Sequence, residues 1–302
     1  MKILLIGNLG YIGSALQPYL ESQGHEVHGM DIGRFNNNQV DQPPMDFNYY
    51  GPSAVRNYDA VILLAGNSSV AMCNDIYDTL EQNVFYPTRL AQYIKPHQKF
   101  IYISSASVYG ANHSPYLSTE SDSLPKPCNY YDMSKQMFDQ IMQESNLDYY
   151  GLRLATVNGW SPNIRIDLMA NAMAYSAVTE GKVKIANPKV PRSVLDITDL
   201  CRAVQAILIG PKKPGIYNLA SFFSTVEEIG QYIAGYFNVE IDYLPHSPTY
   251  MFRLDTSKFQ FDFDFAFKGS LDSIACTLKH NSAKLSEIGC LGLQDNYKRL
   301  AK

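Results

Sequence analysis

The chain has 302 residues, a net charge of −4 and five cysteines, enough length for one large α/β unit or a main domain with a smaller one, and no basic surface to advertise nucleic acid. Cys73, Cys128, Cys201, Cys276 and Cys290 are scattered without CxxC spacing, which reads as free thiols in a reducing compartment, with neither a disulfide frame nor a metal site. No apolar run approaches the ~20 residues that cross a bilayer and no leader precedes the first strand, so the expectation is a cytoplasmic protein with neither membrane nor nucleic-acid partners.

Lys2-Ile3-Leu4-Leu5-Ile6 reads as a buried strand, and Tyr11, Ile12, Ala15, Leu16, Tyr19 and Leu20 recur at helical spacing after it. Between them lies Gly7-Asn8-Leu9-Gly10-Tyr11-Ile12-Gly13. Gly7 permits the tight turn, Gly10 removes a side chain where backbone must approach a phosphate, and Gly13 lets helix and strand pack closely. The free N–H groups and positive dipole end at the helix start suit a pyrophosphate. A second strand, Glu26 to Asp31, ends in an acid 24 residues after Gly7, placed to accept from the ribose hydroxyls of a dinucleotide. Residues 33–53 read as loop, with a short strand near Met45–Phe47 and Asp46 facing either adenine or solvent. Asp59 to Gly66 is the next buried strand, and its small end, Leu64-Ala65-Gly66, lets a cofactor lie against it.

A helix follows over Thr79 to Tyr93, then the strand Lys99–Ile103 running into Ser104-Ser105-Ala106-Ser107-Val108-Tyr109-Gly110. Residues 111–128 are loop, Asn129 to Ser145 helix and Tyr149 to Leu154 strand. This alternation argues for right-handed βαβ units and a Rossmann-type doubly wound parallel sheet over residues 1–158. Residues 159–302 read as a smaller lobe, partly interwoven with the first: helix over Ile166–Gly181, strands at Val183–Ile185 and Val194–Ile197, helix Asp199–Leu208, strand Gly215–Leu219 and helix Val226–Phe237. Phe259, Phe261, Phe263, Phe265 and Phe267 alternate, so an extended stretch would put all five rings on one face, for packing or, as the lesser reading, an exposed self-association surface. Ser286 to Lys302 has no assigned place.

Tyr131 and Lys135 are four apart on a helix, so they project from one face, about 5–6 Å apart at Cβ. An ammonium beside a phenol favours the phenolate and lowers its pKa, which makes Tyr131 a base toward an alcohol and the acid in reverse. Tyr130 is the rival phenol, but four residues on it meets only Ser134. Ser105, at the end of the preceding strand, is placed to bind the same oxygen. Asp31 favours NAD, because a carboxylate repels the 2′-phosphate of NADP; Arg34 leaves NADP as the second option.

The order GxxGxxG, acid, strand ending in Ala65-Gly66, Ser104-Ser105-x-Ser107-Val108-Tyr109-Gly110 and Tyr131-x-x-x-Lys135 resembles the extended short-chain dehydrogenase/reductases. Within them it is most similar to the NAD-dependent nucleotide-sugar epimerase/dehydratase group. The similarity runs on through Leu152–Gly159, Arg192–Leu200 and Gly215–Leu219, to about residue 275. It implies a triad of Ser105, Tyr131 and Lys135. It implies cofactor contacts at Gly7, Gly10, Tyr11, Ile12, Gly13, Asp31, Leu64, Ala65, Gly66, Asn83, Ser104, Tyr131 and Lys135, and substrate contacts at Ser105, Thr156, Asn171 and Arg192. Arg192, a planar donor fork suited to a pyrophosphate, is also within sequence reach of pairing with Asp196 or Asp199. Dehydratases of the group carry Asp-Glu after the catalytic hydroxyl and decarboxylases keep the Glu; here Ala106 and Ser107 offer no acid, which disfavours both reactions. The Thr156 position often holds Asn in epimerases, and Leu244 to Arg253 lacks the usual second phosphate-binding Arg, for which Arg253 or Arg165 would have to substitute.

The resulting expectation is an epimerase or 4-keto reductase on a nucleotide-activated sugar. The alternatives are a dehydrogenase or reductase on a small hydroxy or keto substrate, and a non-catalytic NAD-sensing module. Relatives pair through the helix of Tyr131 and the one near residues 79–95, so Met137, Phe138 and Ile141 serve either a homodimer or the core.

Overall fold

The apolar run Lys2–Ile6 is strand β1, and its residues alternate between two cores: Ile3 and Leu5 pack on one side of the sheet, Leu4 and Ile6 on the other. A strand covered on both faces has no reason to alternate with polar residues. The computed structural model describes residues 1–34, 41–110, 116–246 and 249–290. Asn36–Asn38 of the first loop, the start of the 111–128 loop and the tail beyond Cys290 lie outside the described residues.

After β1 come α1 (Tyr11–Ser22), β2 (Glu26–Met30), β3 (Ala60–Leu63), α2 (Ile76–Leu80), α3 (Tyr86–Ala91), β4 (Lys99–Ser105), α4 (Tyr130–Gln143) and β5 (Asp148–Leu154). Then follow β6 (Thr156–Asn158), α5 (Met169–Glu180), β7 (Lys182–Ile185), β8 (Pro191–Asp196), α6 (Ile197–Ile209), β9 (Gly215–Leu219), β10 (Phe222–Thr225) and α7 (Val226–Phe237). The last elements are β11 (Glu240–Tyr243), α8 (Ser257–Phe263), α9 (Leu271–His280) and α10 (Ser282–Cys290).

Six strands form one sheet in the order β2-β1-β3-β4-β5-β9, every pair parallel. This is the doubly wound α/β fold. The order reverses at β1, which opens a crevice at the carboxyl ends of β1 and β3. Strand β9 comes from beyond residue 158, and α6 packs on α1, so the second half of the chain completes the first. A three-stranded sheet, β10-β8-β6, and the pair β11-β7 lie outside the six-stranded sheet, the former joining β6 of the first half to strands of the second. Among the described residues no helix is long and apolar enough to cross a membrane.

Three expectations are corrected. The five Phe residues do not lie on a strand: α8 ends at Phe263, Asp264 reverses the chain in the left-handed region (φ 46°), and only then does the segment extend. Phe259 and Phe263, one helical turn apart, pack with Phe265 and Tyr217, whereas Phe261 points to solvent. The 79–93 helix is broken into α2 and α3 by a wide π turn over Glu81–Phe85. Met45–Phe47 is no strand: Asp46 caps a single turn at Phe47–Tyr49, accepting from Asn48 N at 2.9 Å.

Candidate functional site

Gly7 turns the chain off β1 at φ +92°, and a Cβ there would stand 2.7 Å from Ala65 N. At Gly13 a Cβ would lie 2.2 Å from Gly7 O, so the helix packs backbone to backbone on the loop. Gly10 caps α1 without a side-chain acceptor, which leaves the first N–H groups of the helix to whatever occupies the crevice. Asp31 binds this loop from the end of β2: Oδ2 accepts from Leu9 N at 3.0 Å and Oδ1 from Gly33 N at 2.8 Å. A cradle that side chains would fill, an uncapped helix start and an acid beside it fit a dinucleotide.

The opposite wall is Leu64-Ala65-Gly66 after β3. Asn83, on the π turn, braces it: Oδ1 accepts from Asn67 N at 2.8 Å, while Nδ2 donates to Asn67 O and to Ser134 Oγ, both at 3.0 Å. Its amide is therefore committed to protein partners, although the residue lines the cleft.

Strand β4 ends at Ser104 and Ser105, and α4 brings Tyr131 and Lys135 to the same place. Ser105 Oγ lies 2.8 Å from Ser107 Oγ and accepts from Ser107 N at 3.2 Å. Lys135 Nζ donates to Ile103 O at 2.9 Å and sits 5.7 Å from the centre of the Tyr131 ring. Burial lowers the Lys135 pKa to about 8. Burial also raises Tyr131, opposed first by the Ser105 hydroxyl and then by Arg165. This corrects the expectation that Lys135 holds Tyr131 down. The ammonium is turned to the Ile103 carbonyl instead of the phenol, and burial outweighs the Ser105 and Arg165 contributions that favour the phenolate. Tyr130 is exposed and lies outside the cleft.

All of these groups face one cleft of about 430 Å³. Gly7, Gly10, Tyr11, Ile12, Gly13 and Asp31 line one end, Leu64, Ala65, Gly66 and Asn83 the wall, and Ser104, Ser105, Tyr131 and Lys135 the centre. Thr156 and Arg192 line the far end. Arg192 is half-buried, its guanidinium donating to Thr249 Oγ1 and lying over the Phe252 ring. Among the described residues no carboxylate pairs with it: Asp199 is taken by Arg202 and Asp196 by Thr198 N and Ser273. Arg165 also reaches the cleft, but Asp167 holds its guanidinium at 2.6 Å. Arg253 is absent from the lining.

Asn171 is not in the cleft. It is fully buried, Oδ1 accepting from Gly159 N at 2.9 Å and Nδ2 donating to the Tyr11 hydroxyl and to Arg165 O. That hydroxyl in turn donates to Gly159 O at 2.9 Å. Only the rest of Tyr11 is left to the cleft; its phenol is a pin between α1 and the loop after β6. Ser161 and Asn163 complete the pin by donating to Tyr11 O and Leu9 O, each at 2.6 Å. Sequence reasoning missed these two and Tyr250, which lines the cleft from the smaller lobe. No motif marks them, since each acts on a backbone atom or a residue more than a hundred positions away.

Residues 3–220 match the model of the NAD dependent epimerase/dehydratase family. Among characterised proteins, the chain is 27% identical to protein CapI of Staphylococcus aureus, over 71% of each chain. It is 25% identical to the ADP-L-glycero-D-manno-heptose-6-epimerase of Alkalilimnicola ehrlichii, over 80% of this chain and 83% of that one. Among solved structures, the UDP-glucuronic acid 4-epimerase of Bacillus cereus superposes with a TM-score of 0.79 at 22% identity, over 95% of this chain and all of that one. The dTDP-glucose 4,6-dehydratase of Bacillus anthracis, in complex with NAD, gives 0.79 at 20% identity, over 94% and 97%. With more than two thirds of its length under the family model, the chain belongs to the NAD-dependent epimerase/dehydratase family, enzymes of the extended short-chain dehydrogenase/reductase type.

Proposed function

We propose that this enzyme epimerises a nucleotide-activated sugar, or reduces its 4-keto form, through Ser105, Tyr131 and Lys135, with NAD in the glycine-lined end of the cleft. The observation that carries the reading is Arg192. It is a half-buried cation without a carboxylate, facing the same cleft as the Ser–Tyr–Lys group, and so suits the pyrophosphate of a sugar nucleotide. The two neighbours above bind or act on nucleotide sugars by their names, which supports the same class.

NAD supplies the hydride acceptor and donor. Tyr131 takes the proton of a sugar hydroxyl and returns it, Ser105 holds the oxygen, and Lys135 anchors the ribose and lends its charge once the site fills. Ala106 and Ser107 stand where an acid pair would be needed to expel water, so the reading stops short of dehydration. A homodimer through the exposed Met137 and Ile141 on α4 is part of the proposal; Phe138 is buried in the core and takes no part. A second reading, a dehydrogenase or reductase on a smaller substrate, draws on Tyr250: segment 249–254 puts a phenol, not a second Arg, into the cleft.

The test is a mass spectrum of the denatured supernatant, followed by incubation with UDP-, GDP-, CDP- and dTDP-sugars. Released NAD and a C4-inverted sugar without net absorbance change at 340 nm establish the epimerase. Consumption of NADH with a 4-keto sugar establishes the reductase, and turnover confined to small hydroxy acids or ketones overturns both.

A further inference from the structure

Tyr250 belongs neither to the glycine loop nor to the Ser105–Tyr131–Lys135 group, yet it reaches their cleft. It stands in a segment, 249–254, tied along its length to Arg192 and Ser193 of the second half of the chain and at its end to Ser118 of the first. Thr249 accepts from Arg192, Phe252 bridges to Arg192, Leu254 bridges to Ser118, and Leu254 N donates to Ser193 Oγ at 3.1 Å. From this strap the Tyr250 hydroxyl crosses to α4. It donates to Asp132 Oδ2 at 2.8 Å and accepts from Asn129 Nδ2. Asn129 is the N-cap of α4 and also donates to Asp132 Oδ2, at 2.7 Å. Asp132 follows Tyr131 directly.

Asp132 is 1% exposed, and its second oxygen, Oδ1, is buried without a hydrogen-bond partner among the described residues. A buried carboxylate is costly unless its donors are in place. Here all its side-chain donors meet at one oxygen, and one of them comes from the other lobe. Tyr250 is therefore a fastening the carboxylate cannot cheaply release.

We propose that Tyr250 is a positioning residue, hooked to Asp132, that couples the Arg192 end of the cleft to the helical turn aiming Tyr131. The strap that carries Arg192's partner Thr249 is the same strap that holds the turn. Filling the Arg192 end thus tightens the turn on which the proton is handled, and losing the hook leaves Tyr131 loosely aimed. Burial and the neighbouring carboxylate raise the Tyr250 phenol well above its ordinary value, so it remains a donor across the working range of pH. The kinetic part rests on the nucleotide-sugar reading; the contact itself does not.

The experiment compares wild type, Tyr250→Phe, Asp132→Asn and the double variant as full chains loaded with NAD. Hydrogen–deuterium exchange follows peptides spanning 130–135 and 249–254, with UDP-glucose and UDP-glucuronic acid as added probes. Tyr250→Phe keeps the ring and removes the hook. We expect its exchange in 130–135 to rise about fivefold or more and its Tm to fall by a few degrees, with NAD retained. We expect kcat on the sugar nucleotide turned over to fall about tenfold, and the double variant to lose no more than the worse single one. Unchanged exchange in 130–135, loss of NAD along with the hook, or additive losses in the double variant would overturn the proposal. If Tyr250→Phe does not fold, Asp132→Asn carries the same exchange comparison. Exchange needs no turnover, so failure of the sugar panel tells against the proposed reaction and leaves the hook to be judged by itself.

Discussion

The two ends of the cleft are built from different material. At the cofactor end the walls are backbone: Gly7, Gly10 and Gly13 clear space, the start of α1 offers N–H groups, and Asp31 is spent largely on holding Leu9 and Gly33. At the far end the walls are side chains from the second half of the chain, Arg192, Tyr250 and Phe252, with Thr249 holding the Arg192 guanidinium. A backbone site fails by clash, a side-chain site by loss of a contact. The first tolerates almost no substitution, while the second is adjusted by small steps and is where specificity can change without disturbing the fold.

That contrast is sharpest at Gly13. Gly13→Ala puts a methyl 2.2 Å from Gly7 O and 2.6 Å from Asn8 Cα, where neither neighbour is a flexible tip. We expect loss of retained NAD and a stability cost of about 1–3 kcal/mol or more, read as absent NAD in the denatured supernatant and a lowered Tm. A variant that still purifies with NAD would break the comparison. Next in size is Tyr131→Phe, which keeps the ring and removes the proton-carrying hydroxyl with its Ser105 contact: kcat should fall roughly 10²- to 10⁴-fold with NAD retained. Activity within threefold of wild type would remove Tyr131 from the chemistry. Arg192→Ala comes third. It should weaken sugar-nucleotide binding about tenfold to a hundredfold, as expected for hydrogen bonds to a charged group, and leave NAD untouched in calorimetry. If it strips NAD as well, the two ends are not separate sites.

The same contrast decides what a sequence reveals. Gly7, Gly10, Gly13 and Asp31 stood out because backbone demands fix residue type and spacing locally, and Tyr131 with Lys135 because a helix fixes their interval. The parallel sheet was legible from uninterrupted apolar runs, since burial on both faces needs no alternation. Asn171 shows the limit. The residue type and its place at the start of a helix match a ligand-binding position, yet its amide is consumed by Gly159, Tyr11 and Arg165. Tyr250 shows the converse, because its partner Asp132 lies 118 positions away and no local pattern joins them. The Phe259–Phe267 alternation misled for a third reason: a helix ending at a left-handed Asp264 and an extended strand share that spacing over so short a run.

The smallest expected effect concerns Lys135, where the backbone end and the chemistry meet. Burial lowers its pKa from 10.5 to about 8, while Ile103 O accepts one of its protons. The unfolded chain therefore holds this proton more tightly than the folded one, and between about pH 8 and the ordinary lysine value the unfolded state binds more protons. Stability rises with pH wherever that is so. The contribution of Lys135 to stability is thus most unfavourable below pH 8 and is relieved as pH climbs through that window. Lys135→Met removes the penalty along with the hydrogen bond. Its Tm, relative to wild type, should be highest near neutral pH and lose a few degrees of that advantage by pH 10. A Tm difference that stays flat from pH 7 to 10 would mean that Lys135 keeps its proton in the folded chain, and that the cleft around it is wetter than its packing suggests.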